Sequence, residues 1–104
     1  LSLVEQHFLE HWPMQRYAAE LGLTTPRLNR ITQSLCQCNA LEMVHERLTK
    51  EACRRLIYIA APAANLAAEL GFDDPAYFSR FFKNHTGMSP NQYRKLNQGV
   101  FEVK

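Results

Sequence analysis

The 104 residues hold little that belongs to a membrane or an export route. The longest charge-free stretch, Leu56 to Ala68, is interrupted by Pro62 and Asn65, and nothing approaches the roughly 20 apolar residues of a membrane span. No basic segment, apolar run and small-residue cleavage site open the chain, so no signal peptide is expected; the initial Leu1 in place of methionine points to a fragment of a longer protein. Cysteine is limited to Cys36, Cys38 and Cys53, an odd count that, with no export signal, implies reduced thiols in a cytoplasmic protein. There is no glycine-rich phosphate loop and no nucleophile with a base and an orienting group, so neither an enzyme nor a cofactor is expected. Charge of one sign is lacking too: 12 basic against 10 acidic residues leave a net +2, which announces no nucleic-acid partner by itself. The distribution says more, because residues 1 to 13 carry Glu5 and Glu10 without a Lys or Arg, whereas 76 to 98 carry Arg80, Lys83, Arg94 and Lys95 without an acid.

What is present is helical. At 46% apolar and 21% charged residues the chain is too hydrophobic for disorder, and its length fits one domain or two very small ones sharing a spine. Val4, Phe8 and Trp12 recur every four residues, and Leu41, Val44, Leu48, Ala52, Leu56 and Ile59 keep a helical rhythm. Strand-type alternation is absent. Proline and glycine at Pro13, Gly22, Pro26, Pro62, Gly71, Pro75, Gly87 and Pro90 divide this pattern into about seven short helices, an all-α fold. Ala19-Glu20-Leu21-Gly22 returns as Ala68-Glu69-Leu70-Gly71, with Pro26 and Pro75 at the same 49-residue offset. Two copies are too few for a solenoid, so the expected organisation is a tandem pair: subdomain one at 1–40, a linker helix at 41–61 and subdomain two at 62–104.

Each copy reads as a helix, a glycine turn and a second helix opened by a cap and proline, the order of a helix-turn-helix. Tyr17, Leu21, Leu23, Leu28 and Ile31 are the expected interior of the first, with Ala18 at the close approach and Gly22 supplying the positive φ of the turn. Leu66, Leu70, Phe72, Phe78 and Phe81 are that of the second, with Ala67 and Gly71 in the same places. Leu28 matches Phe78 better than Tyr77, which implies a second turn one residue longer. Asp74 before Pro75 caps the second recognition helix; Thr25 before Pro26 takes this part in the first, with Thr24 as the alternative.

The faces opposite these interiors are Pro26, Arg27, Asn29, Arg30 and Gln33, with Thr25 at the helix start, and Ala76, Tyr77, Ser79, Arg80 and Lys83. Neither carries an acid. Arg can bond guanine at two points, Asn and Gln adenine, and Lys and Ser phosphate, so both suit a major groove. A merely solvated basic face is the plainer reading of each, against which stands their occurrence in matched positions. A linker over 41–61 would span roughly 30 Å, close to the roughly 34 Å between successive major grooves on one side of a duplex.

The run Ala67-Ala68-Glu69-Leu70-Gly71-Phe72, then Asp74-Pro75-Ala76-Tyr77-Phe78-Ser79-Arg80-Phe81-Phe82-Lys83, then Gly87-Met88-Ser89-Pro90 and Tyr93-Arg94, resembles the AraC/XylS family of bacterial transcription regulators. The resemblance covers essentially the whole chain. It implies two helix-turn-helix subdomains joined by a long helix, bound to double-stranded promoter DNA, beside an effector or dimerisation domain outside this fragment. It places base contacts on Pro26, Asn29 and Arg30, and on Ala76, Tyr77, Ser79 and Arg80, with Lys83 near phosphate. It further implies an activator, a contact with RNA polymerase and nucleoid association when bound. The first half departs from the pattern, with Thr32-Gln33, Gln37 and Asn39-Ala40 where members commonly have Phe-Lys, Gly and Ser-Pro.

Three other groups have plainer readings. His7 and His11 share a presumed helix at a ligand spacing, but without a third ligand a solvated or packed pair is expected rather than a metal site. Cys36 and Cys38 have one residue between them instead of the usual two, and are expected to be buried or inert. His85 can meet phosphate when protonated or complement a helix dipole. A protein-interaction role for the two basic faces, contacting polymerase instead of bases, is the rival reading, and a metal-dependent enzyme the weaker one.

Overall fold

The computed structural model describes residues 2–97; the expected end of subdomain two, residues 98–104, lies outside the described residues. Seven α-helices run in order: α1 (Ser2–His7), α2 (Met14–Glu20), α3 (Thr25–Cys36), α4 (Ala40–Tyr58), α5 (Ala63–Glu69), α6 (Pro75–Thr86) and α7 (Pro90–Leu96), with a 3-10 turn at Phe8–Glu10 after α1. No strand occurs among the described residues, and none of their helices is long and apolar enough to cross a membrane. Two compact units divide within α4, one ending at Leu48 and the other beginning at Thr49.

In the first unit Val4, Phe8 and Trp12 are buried with Tyr17, Ala18, Leu28, Val44 and Leu48, as their spacing predicts. The chain carrying them is not one helix, because α1 stops at His7 and His11 lies in the left-handed region at φ 56°. Helix α2 ends in a Schellman motif. Gly22, at φ 69°, donates to the Ala19 carbonyl, and Leu23 to that of Ala18. Two expectations are corrected in α3. The cap is Thr24, whose hydroxyl accepts from Arg27 N–H at 3.3 Å, so Thr25 is the first helical residue. The interior position is Thr32, fully buried, whereas Ile31 and Leu21 stand 37% and 45% exposed. Thr32 follows Leu28 by four residues on the inner stripe, and its hydroxyl tolerates burial by donating to the Asn29 carbonyl at 3.1 Å.

The second unit repeats this construction. Leu66, Ala67, Leu70, Phe72, Phe78, Phe81 and Phe82 form its interior, and α5 closes with the same motif: Gly71 N–H to Ala68, Phe72 N–H to Ala67. Asp74 caps α6, accepting from Ala76 N–H at 3.0 Å with Pro75 at the first turn. Helix α5 repeats α2 at an offset of 49 residues and α6 repeats α3 at 50, so the second turn is one residue longer, as the apolar register predicts.

This offset explains the departures of the first half from the family pattern. Gln37 takes the left-handed position that Gly87 takes after α6, and Asn39 with Glu42 forms the reciprocal cap that Ser89 and Gln92 form at α7. Different side chains thus fill the same backbone roles.

Helix α4 stops three residues short of the expected 61. Ile59 still donates to the Arg55 carbonyl, but Pro62 disfavours helical geometry before it. Its apolar run is buried from Val44 to Leu56, and Leu41 and Ile59 at its ends are exposed. Within the second unit, Arg94 reaches from α7 to the Leu56 carbonyl at 2.9 Å, near the end of α4, and at 3.1 Å adds a second donor to the Ile59 carbonyl, which also accepts from Ala61 N–H. Glu51 is buried beneath Arg54 and Arg55, and the Arg54 guanidinium, then that of Arg55, hold its carboxyl down at about 2.

Candidate nucleic-acid interface

Both recognition helices are anchored by apolar residues on one side, which fixes what the other side offers. On α3, Pro26, Arg27, Arg30 and Gln33 are exposed and Thr25 and Asn29 half-buried. Arg27 and Arg30 line an open depression with Ile31 and Ser34. On α6, Ala76, Ser79, Arg80 and Lys83 are exposed. Tyr77 is 52% exposed, its ring packed edge-on to Phe72 with centroids 5.5 Å apart. A rigid aromatic is therefore offered to a partner at the start of α6. Neither helix contains an Asp or Glu, so a phosphate approaching either meets no carboxylate on the helix itself.

Asn29 has a structural task that the sequence did not show. Its amide oxygen accepts from Ala40 N–H at 3.0 Å, tying α3 to the first turn of α4. A two-point contact with adenine uses both the oxygen and the NH2 group, and here the oxygen is committed to backbone. Ala40 N–H, a helix-start donor without an intrahelical acceptor, was the available signal.

The remaining groups settle locally. His7 stacks on Trp12 at 3.9 Å and its Nδ1 donates to Glu10 at 2.6 Å, while Trp12 donates to the other Glu10 oxygen and Arg16 lies over the indole. The hydrogen bond from His7 is the main cause that lowers the Glu10 pKa. Because α1 ends at His7, the two histidines do not share the helical turn that their spacing suggested. Among the described residues no three potential metal ligands cluster. His85, exposed near the end of α6, donates from Nδ1 to the Phe81 carbonyl at 2.9 Å, its ring tilted against that of Phe81 with centroids 4.3 Å apart. Cys36 and Cys38 are not buried as expected. Cys36 ends α3 and is exposed, Cys38 is half-buried, and their sulfur atoms lie 2.6 Å apart.

Two units in which a short helix and a left-handed glycine turn lead into a second helix, buried on its inner stripe and acid-free on its exposed face, define a tandem helix-turn-helix protein. A helix-turn-helix domain model matches residues 17–96, and the chain belongs to the AraC/XylS family of such domains. It is 30% identical over 84 residues to the arabinose operon regulatory protein of Salmonella typhimurium, covering 81% of this chain and 30% of that protein. It is 22% identical over 93 residues to the virulence regulon transcriptional activator VirF of Yersinia enterocolitica, covering 89% and 34%. The chain thus spans about a third of the length of the curated relatives it matches. The DNA-binding domain of AdpA, solved in complex with a target DNA, shares the fold at a TM-score of 0.86 and 20% identity, over 99% of this chain and 93% of that one.

Proposed function

We propose that this chain is a sequence-specific double-stranded DNA-binding domain that reads successive major grooves with α3 and α6, and that it is the promoter-binding part of a bacterial transcription regulator acting as an activator. The observation that carries the reading is the pair of acid-free, outward faces in matched positions: Arg27, Arg30 and Gln33 on α3 correspond at the 50-residue offset to Tyr77, Arg80 and Lys83 on α6. Arg30 and Arg80 are assigned to base edges, with Pro26, Gln33, Ala76, Tyr77 and Ser79 around them. Arg27 and Lys83 are assigned to phosphate, and Thr25 lies at the start of α3 beside the backbone. Asn29 contributes its NH2 group alone. Helix α4 serves as linker between subdomains at 1–40 and 62–104. RNA polymerase and an effector or dimerisation domain elsewhere in the protein are the further partners of this reading, which has no catalytic step and places the protein in the cytoplasm on the nucleoid.

Selection of bound sequences from a random duplex library tests it, followed by titration against random DNA at fixed salt. Two short motifs about one helical turn apart are expected. Arg30→Ala should cost about 1–3 kcal/mol and relax one base position, whereas Lys83→Ala should weaken all sequences alike and flatten the salt slope. Equal losses for Arg30→Ala on specific and random DNA would refute its base-reading role, and an absence of enrichment would refute the whole reading.

A further inference from the structure

We propose that Cys36 and Cys38 form a redox-active dithiol, a modification site at the end of α3 that exchanges with a low-molecular-weight disulfide of the glutathione class and closes to an intramolecular disulfide. Residues two apart on a helix do not face each other. Here Gln37, in the left-handed region at φ 60° and ψ 34°, turns the chain back so that Cys38 meets Cys36. The two sulfur atoms are in direct contact and both residues are free thiols, so the bond of about 2.05 Å joins atoms that are already neighbours.

Both ends of the turn are held. Before it, Gln37 N–H donates to the Gln33 carbonyl and the Cys36 thiol to that of Thr32. After it, the Asn39–Glu42 cap and the Asn29–Ala40 hydrogen bond fix the start of α4. The thiols are therefore kept as neighbours by backbone that closure need not rebuild.

The exposed Cys36 thiolate attacks one sulfur of the small disulfide, forming a mixed disulfide and releasing one thiolate. Cys38 then attacks the Cys36 sulfur and expels the second. Two protein thiols become one disulfide, one small disulfide becomes two thiols, and the two protons leave with them. The Cys38 thiol is pushed up to about 11, chiefly by its hydrogen bond with Cys36, then by burial and by the charges of Cys36, Glu42 and Glu46. Its largest cause lapses once Cys36 is modified, which orders the two steps. Cys53, hydrogen-bonded with Tyr93, serves as an internal control.

The test is to equilibrate the purified, reduced chain with graded mixtures of glutathione and its disulfide, quench by alkylation, and map masses by peptide. The expected result is loss of two hydrogens in the peptide holding Cys36 and Cys38, in a single two-electron transition reversed by reductant, with Cys53 alkylated throughout. Cys53→Ser should behave alike, while Cys36→Ser and Cys38→Ser should each stop at a glutathione adduct. The proposal is overturned if the unmodified sequence also stops at adducts, if Cys53 or a second molecule supplies the partner sulfur, or if the pair stays reduced in every mixture. No readout involves DNA, so this inference and the DNA-binding reading fail separately.

Discussion

Replacing Asn29 by alanine separates bracing from base reading. The Asn29 oxygen is the acceptor for Ala40 N–H at 3.0 Å, and Ala40 is buried, so truncation strands a donor that α4 cannot satisfy itself. An orphaned buried donor costs about 1–3 kcal/mol. With a urea dependence of about 1–3 kcal/mol per molar, the unfolding midpoint of Asn29→Ala should fall by about 1 M. Asn29→Asp keeps an acceptor oxygen in place and sets a negative charge at the start of α4, where the helix dipole favours it by about 0.3–1 kcal/mol. Its midpoint should stay near that of the parent, while a new carboxylate on α3 weakens DNA binding. Urea unfolding followed by circular dichroism, paired with DNA titration, reads both. Were Asn29→Ala to unfold at the parental midpoint, or both variants to lose the same stability, the bracing assignment would be wrong.

Substitutions at three further positions probe other features. Glu51 ionises at about 2 in the folded chain against an ordinary 4.5, so its stabilisation is complete above about pH 5 and is lost as pH falls toward 2. Glu51→Gln should flatten that acid limb and cost about 1 kcal/mol at neutral pH, a figure held down because Arg54 is more than half exposed; an unaltered acid limb would count against it. The Tyr17 hydroxyl is buried with no hydrogen-bond partner among the described residues, so Tyr17→Phe should leave stability unchanged or raise it by about 1 kcal/mol. A clear loss on thermal unfolding would show that the hydroxyl is satisfied in solution. Gly87 sits at φ 84° with open space where a Cβ would go, so Gly87→Ala should cost about 1 kcal/mol from backbone strain alone, and Gly87→Asn less. Equal stability of both variants with the parent would refute the strain argument.

The class and most of the helices were legible where apolar spacing and glycine–proline punctuation agreed, as at Leu66 and Leu70, whereas the spacing of Val4, Phe8 and Trp12 gave their burial but not the break after His7. The longer second turn was legible from Leu28 and Phe78. What escaped were polar side chains given to the backbone, Thr32 within the core and Asn29 across to Ala40, while at the cap the alternative, Thr24, takes the place first given to Thr25. Hydrophobicity gives Ile31 to the interior over Thr32. Carrying the 50-residue offset through would have corrected this, because Thr32 then falls on the buried Phe82. The meeting of Cys36 and Cys38 was hidden because it depends on one left-handed residue, Gln37, of a type that does not advertise that conformation.

The extra residue in the second turn also governs how the duplicated halves can be recombined. A chimera that moves α3 into the place of α6 along the shared Ala-Glu-Leu-Gly frame would set Asn29 where Phe78 is buried and Gln33 where Phe82 is buried. The same graft moved along by one residue would return Leu28 and Thr32 to those sites and Arg30 to the place of Arg80. One inserted residue thus makes the halves different sockets for similar plugs, so specificity transplants between them succeed or fail on phase before base preference is even sampled.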